Sequence, residues 1–152
     1  LAMRQIWTYD LAEFHGEMIN FEPMWSWPKP VQPGGPPILL GAFSPYVAGR
    51  IAEYCDGWLP VDQGESTERL LNDVLEEFRR SGRPPDELQL TIILNSPVTD
   101  NGFSTSDDDL TRRIETLGRL GFDRANFVLP SAHPGEQWPD LERFAKIIRR
   151  LS

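Results

Sequence analysis

The sequence predicts an α/β fold: four parallel β-strands alternating with helices, amounting to half of a TIM (β/α)8 barrel. Three observations lead there. Apolar, β-rich runs recur around Ile38, Trp58, Ile92 and Phe127, and each is followed by apolar residues at helical spacing. Strands that alternate with helices call for a parallel sheet with the helices packed outside it. The chain has 152 residues, whereas a complete eight-unit barrel takes about 250. The expected organisation is one domain, 1–152, in which 1–35 is a helix end and a covering loop and 36–152 holds four βα units.

In chain order, Leu1 to Thr8 reads as the end of a helix, with Met3, Ile6 and Trp7 on one side. It opens without a cap or an initiator methionine, which predicts that the ancestral domain was longer. Tyr9 to Gly35 shows no sustained period. His15-Gly16-Glu17 reads as a turn and Met18 to Phe21 as a short strand. Met24, Trp25 and Trp27, ahead of Pro28-Lys29-Pro30, are expected to pack over apolar surface, with a functional lid as the alternative.

The stretch from Pro36 to Pro60 is a strand–loop–helix–strand unit. Ile38-Leu39-Leu40 forms the first strand. Val47, Ala48, Ile51 and Ala52 mark the helix, and Asp56-Gly57-Trp58-Leu59-Pro60 the second strand. Ser44 is placed to cap the helix, with Pro45 as its first residue. The free amides of such a helix start suit a phosphate, and Gly41 lets a ligand approach the backbone. The same pattern also serves a capped helix with no ligand.

A helix is expected from Thr67 to Ser81, with Leu70, Leu71, Val74, Leu75 and Phe78 inward, Ser66 or Thr67 as cap and Gly82 as stop. Arg79, Arg80 and Arg83 lie near its negative end and are read as dipole compensation on a solvated face. Leu88 to Leu94 is a strand. A polar loop from Pro97 to Ser106 precedes Asp107-Asp108-Asp109, whose charges suit a helix start better than a metal ion. That helix carries Leu110, Ile114 and Leu117 inward and stops at Gly121. Ala125 to Leu129 is the last strand. A helix from about Pro139 turns Leu141, Phe144, Ala145, Ile148 and Leu151 to one side.

Composition narrows the function classes. The chain is 39% hydrophobic and 25% charged, as suits a globular protein. A net charge of −8 argues against nonspecific binding to nucleic acid or anionic lipid. No apolar run has the length of a membrane span, and no signal-peptide pattern is present. The single cysteine, Cys55, ends an apolar helix face; a buried structural thiol in a reducing cytoplasm is the expectation.

Several phrases together resemble the luciferase-like monooxygenase family of flavin- or deazaflavin-dependent oxidoreductases. They are Ile6-Trp7, Phe14-His15-Gly16-Glu17, Phe21, Pro28-Lys29-Pro30-Val31-Gln32, Pro36-Pro37-Ile38, Leu40-Gly41 and Asp56-Gly57-Trp58. Where that family often has a second glycine, Ala42 stands here. The resemblance implies strands five to eight of a barrel, hence its C-terminal half. It implies that Gly41, Ala42, Phe43 and Ser44 bind the phosphate of coenzyme F420 or FMN. It assigns no catalytic residue, because the family's ring-facing residues lie mostly in the other half. His15 falls in a shared turn without a catalytic role, and His133 reads as a surface loop residue. Two open sheet edges and an uncovered apolar inner face predict a homo-oligomer or pairing with a missing N-terminal half; the Tyr9 to Gly35 segment is another candidate cover. A non-catalytic half-barrel remnant and an unrelated barrel enzyme for phosphorylated metabolites are the alternatives.

Overall fold

The computed structural model describes residues 1–95, 106–128 and 138–151. The chain divides into two compact units, Leu1–Ile38 and Leu39–Ser152.

The first unit begins with α1 (Ala2–Thr8) and continues into an antiparallel hairpin, β1 (Leu11–His15) and β2 (Asn20–Trp25). Lys29 ends α1: its Nζ donates to the carbonyls of Ile6 at 2.6 Å and Tyr9 at 2.5 Å. The lysine of the Pro-Lys-Pro phrase is thus a helix terminator, supplying charge where the dipole is negative. Trp7 lies over Gly35, where a Cβ would come within 2.2 Å of the indole, and Gly35 has φ +91°. Glycine is therefore required there.

The hairpin departs from the expectation of an irregular segment with one strand at Met18–Phe21. The inward positions of β1 are few: Ala12 is buried and Phe14 half-buried. A bulge between Ala12 and Phe14 breaks the alternation further, so no period of two stands out. Phe14 and Phe21 stack across the strands, with centroids 6.3 Å apart. Pro23 lies within β2, which suits a strand with a free edge. The aromatic residues expected to pack do not: Trp25 is 75% exposed and Trp27 59%.

The second unit is a four-stranded parallel sheet in the order β3-β4-β5-β6, each strand beside its successor. The strands are β3 (Leu39–Leu40), β4 (Gly57–Trp58), β5 (Gln89–Asn95) and β6 (Arg124–Val128). The helices are α2 (Val47–Tyr54), α3 (Glu65–Arg80), α4 (Asp107–Arg119) and α5 (Trp138–Leu151). Among the described residues the sheet does not close. β3 and β6 are its edges.

Register separates the two faces. Trp58 pairs with Leu90, Ile92 with Ala125 and Leu94 with Phe127, and partners in a parallel ladder point the same way. Phe127 stacks on Phe144 of α5 at 4.4 Å, so this is the helix-covered face. Trp58, Leu90, Ile92 and Leu94 on it are all buried. The opposite face carries Ile93 and Val61, linked by a bridge, with Asn126 and Val128. Val61 is 39% and Val128 46% exposed. This face exposes apolar groups, as expected of an uncovered inner face, but polar ones such as Asn126 lie among them.

Other differences are local. α3 starts at Glu65 after Gly64, which has φ +62°. Thr67 does not cap it; its Oγ1 accepts the amide of Gln63 at 2.8 Å, one turn back. Arg83 is half-buried and does not lie on a solvated face: it donates to the Cys55 carbonyl at 2.6 Å and lies 4.3 Å from the Phe78 ring centre. It closes the end of α2 instead of compensating α3. In α5 the buried residues are Phe144 and Ile147, while Leu141 and Ile148 are 43% and 49% exposed. A helix at the sheet edge is covered over a narrower arc than its apolar stripe. Ser106 caps α4, accepting from the Asp109 amide at 3.1 Å, and Asp107 pairs with Arg143. The acidic run thus serves a helix start. Ser96, most of the 97–106 loop, Leu129 and His133 lie outside the described residues.

Candidate functional site

All four strands are parallel, so their carboxyl ends share one rim. It is built from Gly41–Ser44 after β3, Leu59–Asp62 after β4, Asn95, and Val128. The four residues expected to bind phosphate, Gly41, Ala42, Phe43 and Ser44, form the first of these segments.

Their local structure differs from a capped helix start. α2 begins at Val47 with Tyr46 before it, and no side chain caps it. Ser44 contributes its carbonyl instead, accepting the Val47 amide at 3.1 Å. A tight turn through Pro45 and Tyr46 therefore separates Ser44 from the helix. Pro45 has no amide to donate, and the turn orients the chain before the first α-helical bond, Arg50 to Tyr46 at 3.3 Å.

The loop is held from beneath. The Trp58 indole Nε1 donates to the Ala42 carbonyl at 3.0 Å. The Phe43 ring lies 6.4 Å from that of Trp58, which in turn lies 6.2 Å from Phe122. Among the described residues, the amides of Ala42, Phe43 and Ser44 have no backbone acceptor. A Cβ at Gly41 would meet only the Leu59 carbonyl, at 3.5 Å, an ordinary contact. Among the described residues, packing does not demand glycine there. Amides without an acceptor among the described residues, beside a residue without a side chain, fit an anionic group that comes close to the backbone.

The second rim segment is fixed by an ion-pair cluster that the sequence did not reveal. Arg113 of α4 donates from Nε and Nη2 to Asp62 at 2.9 and 2.7 Å, from Nη1 to Glu68 at 2.5 Å, and to the Gly64 carbonyl at 3.2 Å. Asp62 also accepts the Gly64 amide at 3.1 Å. Burial pushes the Asp62 carboxyl up, but the Arg113 hydrogen bond and charge, with the Gly64 amide and Thr67, hold it below the usual carboxylate value. Arg113 is raised, by Asp62 first and Glu68 next, against its own burial. Asp62 and Arg113 are 51 residues apart, and no local spacing announces such a pair.

An open groove of about 590 Å³ runs between α2 and α3 and reaches Pro45 and Tyr46. Glu53, Asp73, Glu76 and Glu77 line it against Arg50 and Arg80, a balance that disfavours an anion. His15 ends β1, exposed and opposite Asn20. Among the described residues, no group of three His, Cys, Asp or Glu side chains is placed to hold a metal ion.

The profile of the luciferase-like monooxygenase family matches residues 1–102, most of the chain. The chain belongs to that family. The reading as an unrelated barrel enzyme is thereby overturned. An uncharacterized protein of Mycobacterium tuberculosis is 34% identical over 148 residues, covering 95% of this chain and 46% of its own length. Its Mycobacterium bovis counterpart has the same figures. Another M. tuberculosis protein, provisionally named a coenzyme F420-dependent oxidoreductase, is 29% identical over 94 residues, 60% of this chain and 27% of its own. Among solved structures, DmoA from Hyphomicrobium sulfonivorans aligns with TM-score 0.40 and 15% identity, over 75% of this chain and 22% of that one. The chain spans about half the length of the mycobacterial relatives that match it end to end.

Proposed function

We propose that the chain is the C-terminal part of a luciferase-like oxidoreductase or monooxygenase and that it contributes the cofactor-phosphate site. The observation that carries this reading is the rim loop Gly41–Ser44: among the described residues, the amides of Ala42, Phe43 and Ser44 after the strand end have no acceptor, and packing does not require the glycine. In α/β sheets such strand ends are where phosphates meet backbone amides. The cofactor is FMN or coenzyme F420; the name given to one relative favours F420. Bound there, either would supply hydride transfer at its ring. This chain's residues hold and orient the phosphate end, and none of them is assigned a catalytic role.

The remaining strands come from an N-terminal half or from a second copy, since among the described residues β3 and β6 offer unpaired edges. A reducing, cytoplasmic setting suits the single buried thiol, Cys55. Among the described residues no helix is long and apolar enough to cross a membrane.

Fluorescence titration with FMN and with riboflavin tests the phosphate reading, because the two differ only in the phosphate. FMN is expected to bind at least tenfold more tightly, an advantage that falls as salt rises. Equal affinities would overturn the phosphate site.

A further inference from the structure

Resting on that reading, we infer that Trp58 is a positioning residue for the cofactor phosphate, acting through the Ala42 carbonyl. A peptide unit is planar and trans, so its C=O and N–H point in opposite directions. The carbonyl of Ala42 and the amide of Phe43 belong to one such unit. The indole N–H of Trp58 takes that carbonyl at 3.0 Å and so turns the Phe43 N–H away from the core. Trp58 is fully buried, and its ring is fixed between Phe43 and Phe122. A donor this immobile orients the acceptor, not the reverse.

The neighbouring glycine sets how close β4 lies to its flanking strands. At Gly57 a Cβ would meet the Gln89 carbonyl at 2.2 Å and the Leu39 side chain at 2.5 Å. β4 is therefore pressed against its neighbours at the residue before Trp58. Its register with Leu90 directs the indole to the helix-covered face, beneath the loop that leads into α2. Phenylalanine would fill most of that space but could not donate. What the nitrogen adds is a fixed orientation for one peptide of the anion-binding loop.

Trp58→Phe is the test, read by backbone ¹⁵N relaxation and by titration. Order parameters at Ala42, Phe43 and Ser44 are expected to fall from about 0.85 to below about 0.6, with β5 unchanged. FMN affinity is expected to weaken about five- to tenfold, the worth of one neutral hydrogen bond, with riboflavin binding unaltered. An unchanged loop, or equal weakening of FMN and riboflavin, would overturn the inference. Should the variant not fold, solvent exchange of the indole proton in the unaltered protein decides. Exchange slowed well below that of free indole, with the Trp58 proton and Ala42 carbonyl resonances shifting together on adding FMN, supports the assignment. Exchange as fast as free indole refutes it. If the unaltered protein does not distinguish FMN from riboflavin, the phosphate reading fails by itself, and the relaxation data still decide whether Trp58 orders the loop.

Discussion

Replacing Arg113 with methionine removes the clamp on the rim segment after β4 while keeping the bulk of the side chain. Four hydrogen bonds go, two of them the fork on Asp62. The Asp62 side chain is 9% exposed and that of Arg113 21%. Losing one partner of a fully buried pair costs about 3–5 kcal/mol, and exposed pairs are worth about 0.2–1. This cluster lies between, and Asp62 keeps the Gly64 amide, so a loss of about 2 kcal/mol is expected. For a chain of this size that lowers Tm by roughly 4–8 °C. Urea unfolding followed by circular dichroism measures it, and a double-mutant cycle with Asp62→Asn isolates the pair. The pH dependence has a definite sign. The folded Asp62 carboxyl is depressed from 3.8, so its contribution is complete above that value and is lost as pH falls through the lower folded value. The gap between wild type and Arg113→Met should hold from pH 5 to 8 and shrink below about pH 4. A variant within about 0.5 kcal/mol of wild type at pH 7, or a gap unchanged at pH 3, would refute the reasoning.

Other substitutions separate fold from site. Gly57→Ala sets a methyl 2.2 Å from the Gln89 carbonyl and should cost about 3 kcal/mol or more by forcing β4 and β5 apart; a urea midpoint near wild type would contradict this. Gly41→Ala should leave stability within about 0.5 kcal/mol, since its Cβ meets only an ordinary contact, yet weaken FMN about tenfold; a stability loss without a binding loss reverses the interpretation. Arg80→Met, on an exposed pair with Glu76 and Glu77, should change stability by less than about 0.5 kcal/mol. The open edges at β3 and β6 predict self-association of the isolated chain, which light scattering reads; a strict monomer at high concentration counts against it.

The helices of the second unit and β5 were legible because each is long enough to show its pattern, while the two-residue strands β3 and β4 were marked by short apolar runs on either side of the α2 pattern. α3 placed Leu71, Val74 and Phe78 inward as its spacing demanded, and Gly82 and Gly121, both at positive φ, ended helices as expected. What escaped was set by contacts distant in sequence. The hairpin has only Ala12 buried in β1 and a bulge besides. α5 lies at an open edge, so its stripe is wider than its buried arc. At the site, Gly41–Ser44 was expected as the loop between a strand and a helix, and it follows β3 at the carboxyl rim. Ser44 was misread as a side-chain cap because the turn through Pro45 and Tyr46 delays the helix to Val47. Trp58 and Arg113 act through partners 16 and 51 residues away, beyond any local pattern.

The most direct measurement is a ¹H–¹⁵N titration of this chain with FMN, with riboflavin run beside it. If the rim loop receives the phosphate, saturable shifts should concentrate at Gly41, Ala42, Phe43 and Ser44 with FMN and be absent there with riboflavin. Shifts that ignore this loop, or that riboflavin reproduces in full, would contradict a phosphate site at the end of β3.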